Sequence, residues 1–204
     1  MFHELDVGLS ALLTDIAMCI NYYRLFSPGM YCCVHATVQL DDGTRFCPGI
    51  VVQVNHGPLK QGEPDPDYKY FNGPPNFVLD VFGDDLLDYE HRRECFERAK
   101  VIEYVAVRLT DPLEWTWNRL IDGKFSEIKT ADNELIMSTA LPGLWIPSYA
   151  LKNQNWGPLW ARSHVDLAGS AIISSWTPSV ARTGRRRKTA KRSTTTKADG
   201  WAQR

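Results

Sequence analysis

The sequence predicts a mixed α/β domain over residues 1–152, with helices flanking one central sheet and a basic tail behind it. Hydrophobic patterns along the chain run in the order helix, hairpin, loop, strand, charged helix, strand and hairpin, which is typical of this class. The tail is indicated by charge. Residues 182–204 hold nine basic residues against one acidic, a net charge of +8, whereas residues 1–181 hold 14 basic against 23 acidic, a net charge of −9.

The first half of the chain is predicted to form a helix, a hairpin and a loop. Apolar residues recur every three or four positions from Val7 to Phe26, which is typical of a helix. Two runs rich in β-branched and aromatic residues, 31–40 and 46–54, flank the turn residues 41–43 and predict a hairpin. Residues 55–75 hold five of the twelve prolines and three glycines, a composition typical of a loop.

The second half is predicted to place a charged helix between two buried strands. Residues 76–82 and 102–109 are short, strongly apolar runs, as expected of central strands covered on both faces. The charged segment 88–100 between them predicts a helix with Asp88 or a neighbour as its cap.

A second hairpin is predicted beyond these strands. Residues 113–120 alternate apolar and polar side chains, Asp122-Gly123 is a turn signal, and 124–130 returns as a strand. Trp115 and Trp117 lie on one face of the first strand, where core packing is the default expectation.

The chain is expected to lose order after residue 152. Periodicity fades beyond about Trp160, and we expect residues 153–181 to form a loosely ordered extension. Residues 182–204 are too polar and too charged to repay the entropy of ordering, which predicts a disordered tail. Six of its basic residues are the predicted nucleic-acid-binding segment: Arg185, Arg186, Arg187, Lys188, Lys191 and Arg192. The same segment is equally compatible with a solvated terminus that has no defined partner.

Composition and segment patterns exclude several classes of protein. No apolar run approaches the roughly 20 residues that cross a bilayer, so no membrane segment is expected. Residues 1–6 lack the basic and apolar regions of a secretory signal. Five cysteines without CxxC spacing are expected to be reduced thiols of a cytoplasmic protein. The oligomeric state and the biological role stay open at this point.

The candidate site begins with Asp80, the acidic residue inside the apolar run 76–82. A carboxylate in such a strand costs free energy unless it is paired with an arginine, meets solvent or binds a cation. The residues alone leave a structural role and a metal-binding role open. Asp88 and Arg92 follow at i,i+4 spacing, which is also the spacing of an ordinary surface ion pair on a helix.

A series of short motifs carries a family resemblance over roughly residues 2–152. In chain order they are Gly73-Pro-Pro-Asn-Phe-Val-Leu-Asp-Val-Phe82, Asp88-Tyr-Glu-His-Arg92, Phe96, Val101-Ile-Glu-Tyr-Val105, Trp115-Thr-Trp117, Gly123-Lys-Phe125, Ser138 and Leu141-Pro-Gly-Leu-Trp-Ile146. In this order and spacing they resemble the Uma-type (Uma2) family of restriction endonuclease-like proteins, within the PD-(D/E)XK nuclease superfamily. The resemblance implies a mixed central sheet flanked by helices. It also implies Mg²⁺-dependent hydrolysis of DNA phosphodiesters, with carboxylates holding the metal.

The resemblance also implies which residues form the site. Family members place an Asp after a proline on one strand, and this chain has Gly49 there. The second acidic position falls on Asp80, which is implied as the Mg²⁺ ligand, and the helix Asp falls on Asp88. The family's Lys position falls on Arg92, or on Arg93 if the loop aligns one residue differently. The catalytic residues implied are therefore Asp80, Asp88 and Arg92.

This eroded pattern leaves more than one functional hypothesis. A guanidinium cannot act as a base, and Asp80 alone would hold Mg²⁺ weakly. Five acidic residues are candidates to replace the missing carboxylate: Asp41, Asp42, Glu63, Asp65 and Asp67. One hypothesis is a Mg²⁺-dependent endonuclease acting on DNA, and the alternative is an inactive nuclease-fold module that binds DNA or a protein partner. A third, favoured by the charge of −9, is a protein of this fold with no nucleic-acid partner. His91, beside Arg92, is expected on a solvated helix surface.

Overall fold

The computed structural model describes residues 7–83, 86–130 and 135–152. In these ranges it has three helices, α1 (Val7–Phe26), α2 (Leu86–Arg98) and α3 (Ser148–Lys152). The strands are β1 (Met30–Val34), β2 (Val38–Gln39), β3 (Arg45–Phe46), β4 (Ile50–Val54), β5 (Glu63–Pro64), β6 (Phe71–Asn72), β7 (Phe77–Phe82), β8 (Glu103–Arg108), β9 (Glu114–Ile121), β10 (Lys124–Glu127), β11 (Leu135–Met137) and β12 (Trp145–Pro147). No helix in these ranges is long and apolar enough to span a membrane. The predicted extension 153–181 and tail 182–204 lie outside the described residues.

Six strands form the central sheet, in the order β1-β4-β7-β8-β9-β10. The pair β7 and β8 is parallel, and the other neighbouring pairs are antiparallel, so the sheet is mixed. A parallel pair needs a crossover connection, which α2 provides between β7 and β8. The predicted α/β class, with a mixed central sheet flanked by helices, is confirmed.

The central strand β7 contributes side chains to two cores, one on each face of the sheet. Phe77 and Leu79 pack in the core that contains buried residues of α1 and α3. Val78 and Phe82 pack in the core that contains the buried residues of α2. Because side chains alternate along a strand, Asp80 lies on the α2 face with Val78 and Phe82. The prediction that this strand is covered on both faces is confirmed.

The predicted helix 88–100 is displaced by two residues at each end. It begins at Leu86, so that Asp88 lies in its first turn rather than at its cap. At the other end Lys100 has a φ of 65°. The N–H of Val101 donates to the Phe96 carbonyl at 3.0 Å, and the N–H of Lys100 donates to the Glu97 carbonyl at 2.9 Å. This pattern is a Schellman motif, which ends the helix before Lys100.

The predicted hairpin of residues 31–40 and 46–54 is interrupted in both strands. His35 has a φ of 53°, which ends β1, and Pro48 has no N–H to continue a ladder between β3 and β4. The inner parts, β1 and β4, pair antiparallel in the central sheet. The outer parts, β2 and β3, pair around the predicted turn and belong to a second sheet.

The prediction of an unbroken loop over residues 55–75 is wrong. This segment contains β5 and β6, which extend the second sheet to the order β3-β2-β6-β5. The carboxylate of Asp65 accepts hydrogen bonds from the backbone N–H groups of Asp67, Lys69 and Tyr70, and thereby holds the turn between the two strands. Strands of two residues are too short to show a periodic pattern. The proline- and glycine-rich composition of the segment therefore predicted a loop.

The second predicted hairpin is confirmed, although β10 ends at Glu127 rather than at residue 130. Asp122 and Gly123 have φ values of 50° and 80°, as a type I′ turn requires. Trp117 is buried and Trp115 is partly buried against the α1-side core, in agreement with a packing role.

A second buried carboxylate lies on the opposite face of the sheet from Asp80. Glu103, at the start of β8, is fully buried. Arg119 on β9 donates to Glu103 Oε1 from Nε at 3.0 Å, and its Nη2 lies 2.9 Å from the same oxygen. The Ser138 hydroxyl donates to Oε2 at 2.6 Å, and Thr139 donates to Oε1 from its N–H at 2.9 Å and its hydroxyl at 3.0 Å. Four hydrogen bonds and the charge of Arg119 therefore neutralise this carboxylate and tie the segment after β11 to the sheet.

We predict that Glu103→Gln lowers the free energy of unfolding by about 3 kcal/mol, because it removes a buried charge from partners that remain in place. Glu114→Gln is the matched control. Glu114 also pairs with an arginine from a strand, Arg108, but its side chain is 61% exposed, so we expect a loss below about 1 kcal/mol. Urea unfolding of the two variants measures the difference, and equal losses would contradict the role of Glu103.

Candidate functional site

Asp80 occupies a covered position near the carboxyl end of β7. Its side chain is 5% exposed, and Ala106 of the parallel strand β8 lies opposite it. The chain passes from β7 into α2 within a few residues, and α2 packs on the face that Asp80 shares. The first turns of α2 therefore bring Asp88 and Arg92 to this carboxylate.

Arg92 joins the two carboxylates. Its Nη1 lies 3.5 Å from Asp80 Oδ2, and its Nε donates to Asp88 Oδ2 at 2.8 Å. The i,i+4 spacing on α2 aligns Asp88 with Arg92. Of the roles that the sequence left open for Asp80, the structure shows the carboxylate paired with an arginine. All three predicted catalytic residues are thus brought together.

The remaining contacts fix both partners of the pair. The N–H of Gly49 donates to Asp80 Oδ1 at 3.2 Å, so both oxygens of the carboxylate have a partner. The guanidinium carbon of Arg92 lies 5.3 Å from the centre of the Phe46 ring and 6.0 Å from that of Phe82. Such aromatic faces stabilise a cation that has lost part of its water.

Burial shifts the two charged groups unequally. It raises the pKa of Asp80 from 3.8 to about 6, while the charge of Arg92 and the Gly49 N–H act in the opposite direction and Asp88 adds a smaller upward shift. Burial lowers the pKa of Arg92, but the charges of Asp80 and Asp88 outweigh it, so that the pKa of Arg92 lies above its ordinary value. Arg92 therefore keeps its charge, whereas Asp80 binds a proton more readily than an exposed aspartate does.

Tyr104 adds a polar group that the sequence analysis missed. It lies on β8 opposite Val78, and its side chain is fully buried in the α2-side core. Its hydroxyl has no hydrogen-bond partner among the described residues. Burial raises the pKa of Tyr104, and the charge of Asp80 raises it further, so the hydroxyl lies within electrostatic reach of that carboxylate. The pairing of β7 with β8 places Tyr104 on the same face of the sheet as Asp80. The sequence pattern of a single strand does not reveal this pairing, so the sequence did not predict a role for Tyr104.

Arg92, rather than Arg93, lies at the carboxylate. Arg93 donates to Asn118 Oδ1 at 3.4 Å and to the Phe125 carbonyl at 3.3 Å. His91 is exposed, as expected, and its ring packs edge-on against Phe46 with 6.2 Å between centres. Of the two arginines that the resemblance offered, Arg92 is the one that pairs with Asp80.

The acidic residues considered as replacements for the missing carboxylate lie in other surroundings. Asp42 is 3.6 Å from Arg98, Glu63 is 2.9 Å from Lys60, Asp67 is 2.9 Å from Lys69, Asp65 binds backbone N–H groups of its own turn, and Asp41 is exposed. Within residues 7–83, 86–130 and 135–152, no three His, Cys, Asp or Glu side chains form a group that could hold a metal ion.

Gly49, where the resemblance implies the first Asp, is closely packed and leaves little room for a side chain. A Cβ atom there would lie 3.1 Å from Leu13 Cδ2 and 3.1 Å from the carbonyl oxygen of Leu79. Leu13 belongs to α1, on the face of the sheet opposite to Asp80. Gly49 therefore contributes to the site through its backbone N–H, which donates to Asp80.

The donors around Asp80 do not fit the Mg²⁺ that the resemblance implies. Mg²⁺ needs free oxygen ligands in near-octahedral geometry. Here both oxygens of Asp80 are engaged, a guanidinium lies between Asp80 and Asp88, and the first carboxylate is replaced by Gly49. The predicted nucleic-acid-binding residues, Arg185 to Arg187, Lys188, Lys191 and Arg192, lie outside the described residues.

Comparisons with known proteins establish the fold. No family model matches the chain, and no curated protein matches it. Among solved structures, the chain is similar to a protein of Anabaena variabilis described as "a putative nuclease belonging to DUF820", with a TM-score of 0.58 and 10% identity. The match covers 76% of this chain and 84% of that chain. At this identity the similarity shows a nuclease-like fold, and membership of the Uma-type family or the PD-(D/E)XK superfamily stays a prediction.

We predict that wild-type protein gains stability relative to Asp80→Asn as the pH falls from 7 to about 4. The folded-state pKa of Asp80 lies above the unfolded value, so the folded state takes up its proton first and is stabilised as the pH falls through about 6. The gain should be about 1–3 kcal/mol. Urea unfolding at several pH values measures it. Asp41→Asn, an exposed change of the same kind, is the control, and parallel curves for wild type and Asp80→Asn would contradict the shift.

We predict that Gly49→Asp lowers the free energy of unfolding by about 2 kcal/mol, because its side chain would press on Leu13 and on the backbone of Leu79. Gly83→Asp is the matched control. A Cβ atom at Gly83 meets no atom within 4 Å, so we expect a change below about 0.5 kcal/mol. Equal stability of the two variants in thermal or urea unfolding would show that position 49 has room for a carboxylate.

Proposed function

We propose that this protein is a nuclease-fold module that binds DNA through its basic C-terminal segment and does not hydrolyse it. The engagement of Asp80 carries this proposal. Metal-assisted hydrolysis needs carboxylate oxygens that are free to hold a cation, which polarises the phosphate and activates water. Asp80 instead binds the Gly49 N–H and Arg92.

The charge distribution supports DNA as the partner. Residues 1–181 carry −9 and would repel a phosphate backbone over much of their surface, whereas residues 182–204 carry +8. Lys and Arg that neutralise phosphates release counterions, so such a segment binds DNA without sequence preference and with a strong dependence on salt. The nuclease described from Anabaena variabilis shares the fold, which favours nucleic acid over an unrelated ligand.

Mg²⁺-dependent hydrolysis of DNA is the second candidate function. Asp80 and Asp88 converge on a single cationic group, as the ligands of a metal ion would. This candidate requires Arg92 to leave both carboxylates and further ligands to replace it. A cleavage assay separates it from the first candidate.

We predict that the full chain binds duplex DNA and that replacing the six basic residues 185–188, 191 and 192 by Gln abolishes most of the binding. The logarithm of the binding constant should fall with the logarithm of salt concentration by about 0.9 for each phosphate contact, so the variant should show a slope shallower by up to about 5. Fluorescence anisotropy measures both quantities. The control replaces only the four arginines by Lys, which keeps the charge and should keep the binding.

Supercoiled plasmid incubated with the same protein and Mg²⁺ or Mn²⁺ should remain intact. Cleavage that disappears in Asp80→Asn would overturn the proposal in favour of the metal-dependent nuclease. Equal DNA binding by the wild type and the Gln variant would refute the role of the basic segment. Absence of DNA binding by both would leave the nuclease-fold module with a protein partner instead.

A further inference from the structure

The arrangement around Arg92 is that of a cation between oxygen ligands. Its Nη1 lies 3.5 Å from an oxygen of Asp80 and its Nε lies 2.8 Å from an oxygen of Asp88. The Arg92 side chain is 23% exposed, so much of it is removed from water. The two carboxylates compensate for that loss of hydration, as they would for any cation in the same place.

Asp80 has fewer hydrogen-bond partners than Glu103, the other buried carboxylate of the central sheet. An ionised carboxylate offers about four acceptor sites. Glu103 receives four hydrogen bonds from Arg119, Ser138 and Thr139. Asp80 receives one from Gly49 and a long one from Arg92. Removal of Arg92 would therefore leave Asp80 Oδ2 without its partner, so that a more compact cation could bind that oxygen.

A second observation points to a ligand on the same face of the sheet. The Tyr104 hydroxyl is fully buried on the α2 face and has no hydrogen-bond partner within the described part of the chain. Buried hydroxyl groups without partners are rare, because each costs about 1–3 kcal/mol. A hydrated cation at Asp80 would bring water that can accept and donate hydrogen bonds there.

We propose that Arg92 is a built-in cation whose guanidinium takes the place of a divalent metal ion between Asp80 and Asp88. Removal of that side chain would then open the space between Asp80 and Asp88 to a hard cation such as Mn²⁺ or Mg²⁺, with water as its remaining ligands. This inference rests on the proposed function and explains why the site would not hydrolyse DNA. It is tested on the protein alone, without DNA, so its failure is separate from failure of DNA binding.

The test is Mn²⁺ binding to the full chain, followed by the electron paramagnetic resonance signal of free Mn²⁺. Wild type should leave millimolar Mn²⁺ free. Arg92→Gln should bind Mn²⁺ saturably, with a Kd lower than that of wild type by at least about tenfold, and the double variant Asp80→Asn/Arg92→Gln should lose that binding. Arg98→Gln removes the same charge from the same helix but pairs with Asp42 rather than Asp80, and should behave as wild type.

Two results would overturn the proposal. One is Mn²⁺ binding by wild type as tight as by Arg92→Gln, which would mean that the guanidinium does not block the site. The other is binding by the double variant, which would place the ion elsewhere. If Arg92→Gln is poorly folded without metal, its thermal unfolding is measured with and without Mn²⁺ instead. Stabilisation by Mn²⁺ that requires Asp80 supports the proposal, and no stabilisation refutes it.

Discussion

A carboxylate buried in the middle of a sheet must be neutralised, and this requirement shapes the α2 side of the molecule. Asp80 can remain charged there only because α2 returns along the sheet and presents Arg92 to it. The same demand fixes the neighbourhood of Gly49, whose N–H supplies the other contact. The Asp80 carboxylate therefore constrains three features: the connection from β7 to α2, the orientation of α2 about its own axis, and the backbone just before β4.

The structure treats the two buried carboxylates of its central sheet differently. Glu103 holds β8, β9 and the segment after β11 together through four hydrogen bonds. Asp80 has fewer partners and shares the α2 face of the sheet with the Tyr104 hydroxyl, which has no hydrogen-bond partner among the described residues. Polar groups that serve only the fold tend to be saturated, whereas incomplete satisfaction concentrates where a fold has been adapted to bind something.

The sequence predicted the features that depend on local pattern. The helix of Val7–Phe26, the buried strand around Asp80 and the turn at Asp122-Gly123 follow from periodicity and turn chemistry within a few residues. The split hairpin and the two-residue strands depend on backbone conformations at single positions, such as His35, that no pattern marks. In the site, spacing joined Asp88 to Arg92, but the contribution of Tyr104 depends on the pairing of β7 with β8. Pairing between distant segments is decided by the packing of the whole sheet.

A side chain at position 49 would lie against Leu13, which is 36 positions away along the chain. A smaller side chain at position 13 would relieve that contact but not the one with the carbonyl oxygen of Leu79, and on its own it would leave a cavity in the α1-side core. Substitutions at positions 13 and 49 are therefore not independent, because each changes the space available to the other. Starting from this sequence, a carboxylate at position 49 costs stability unless its surroundings change as well.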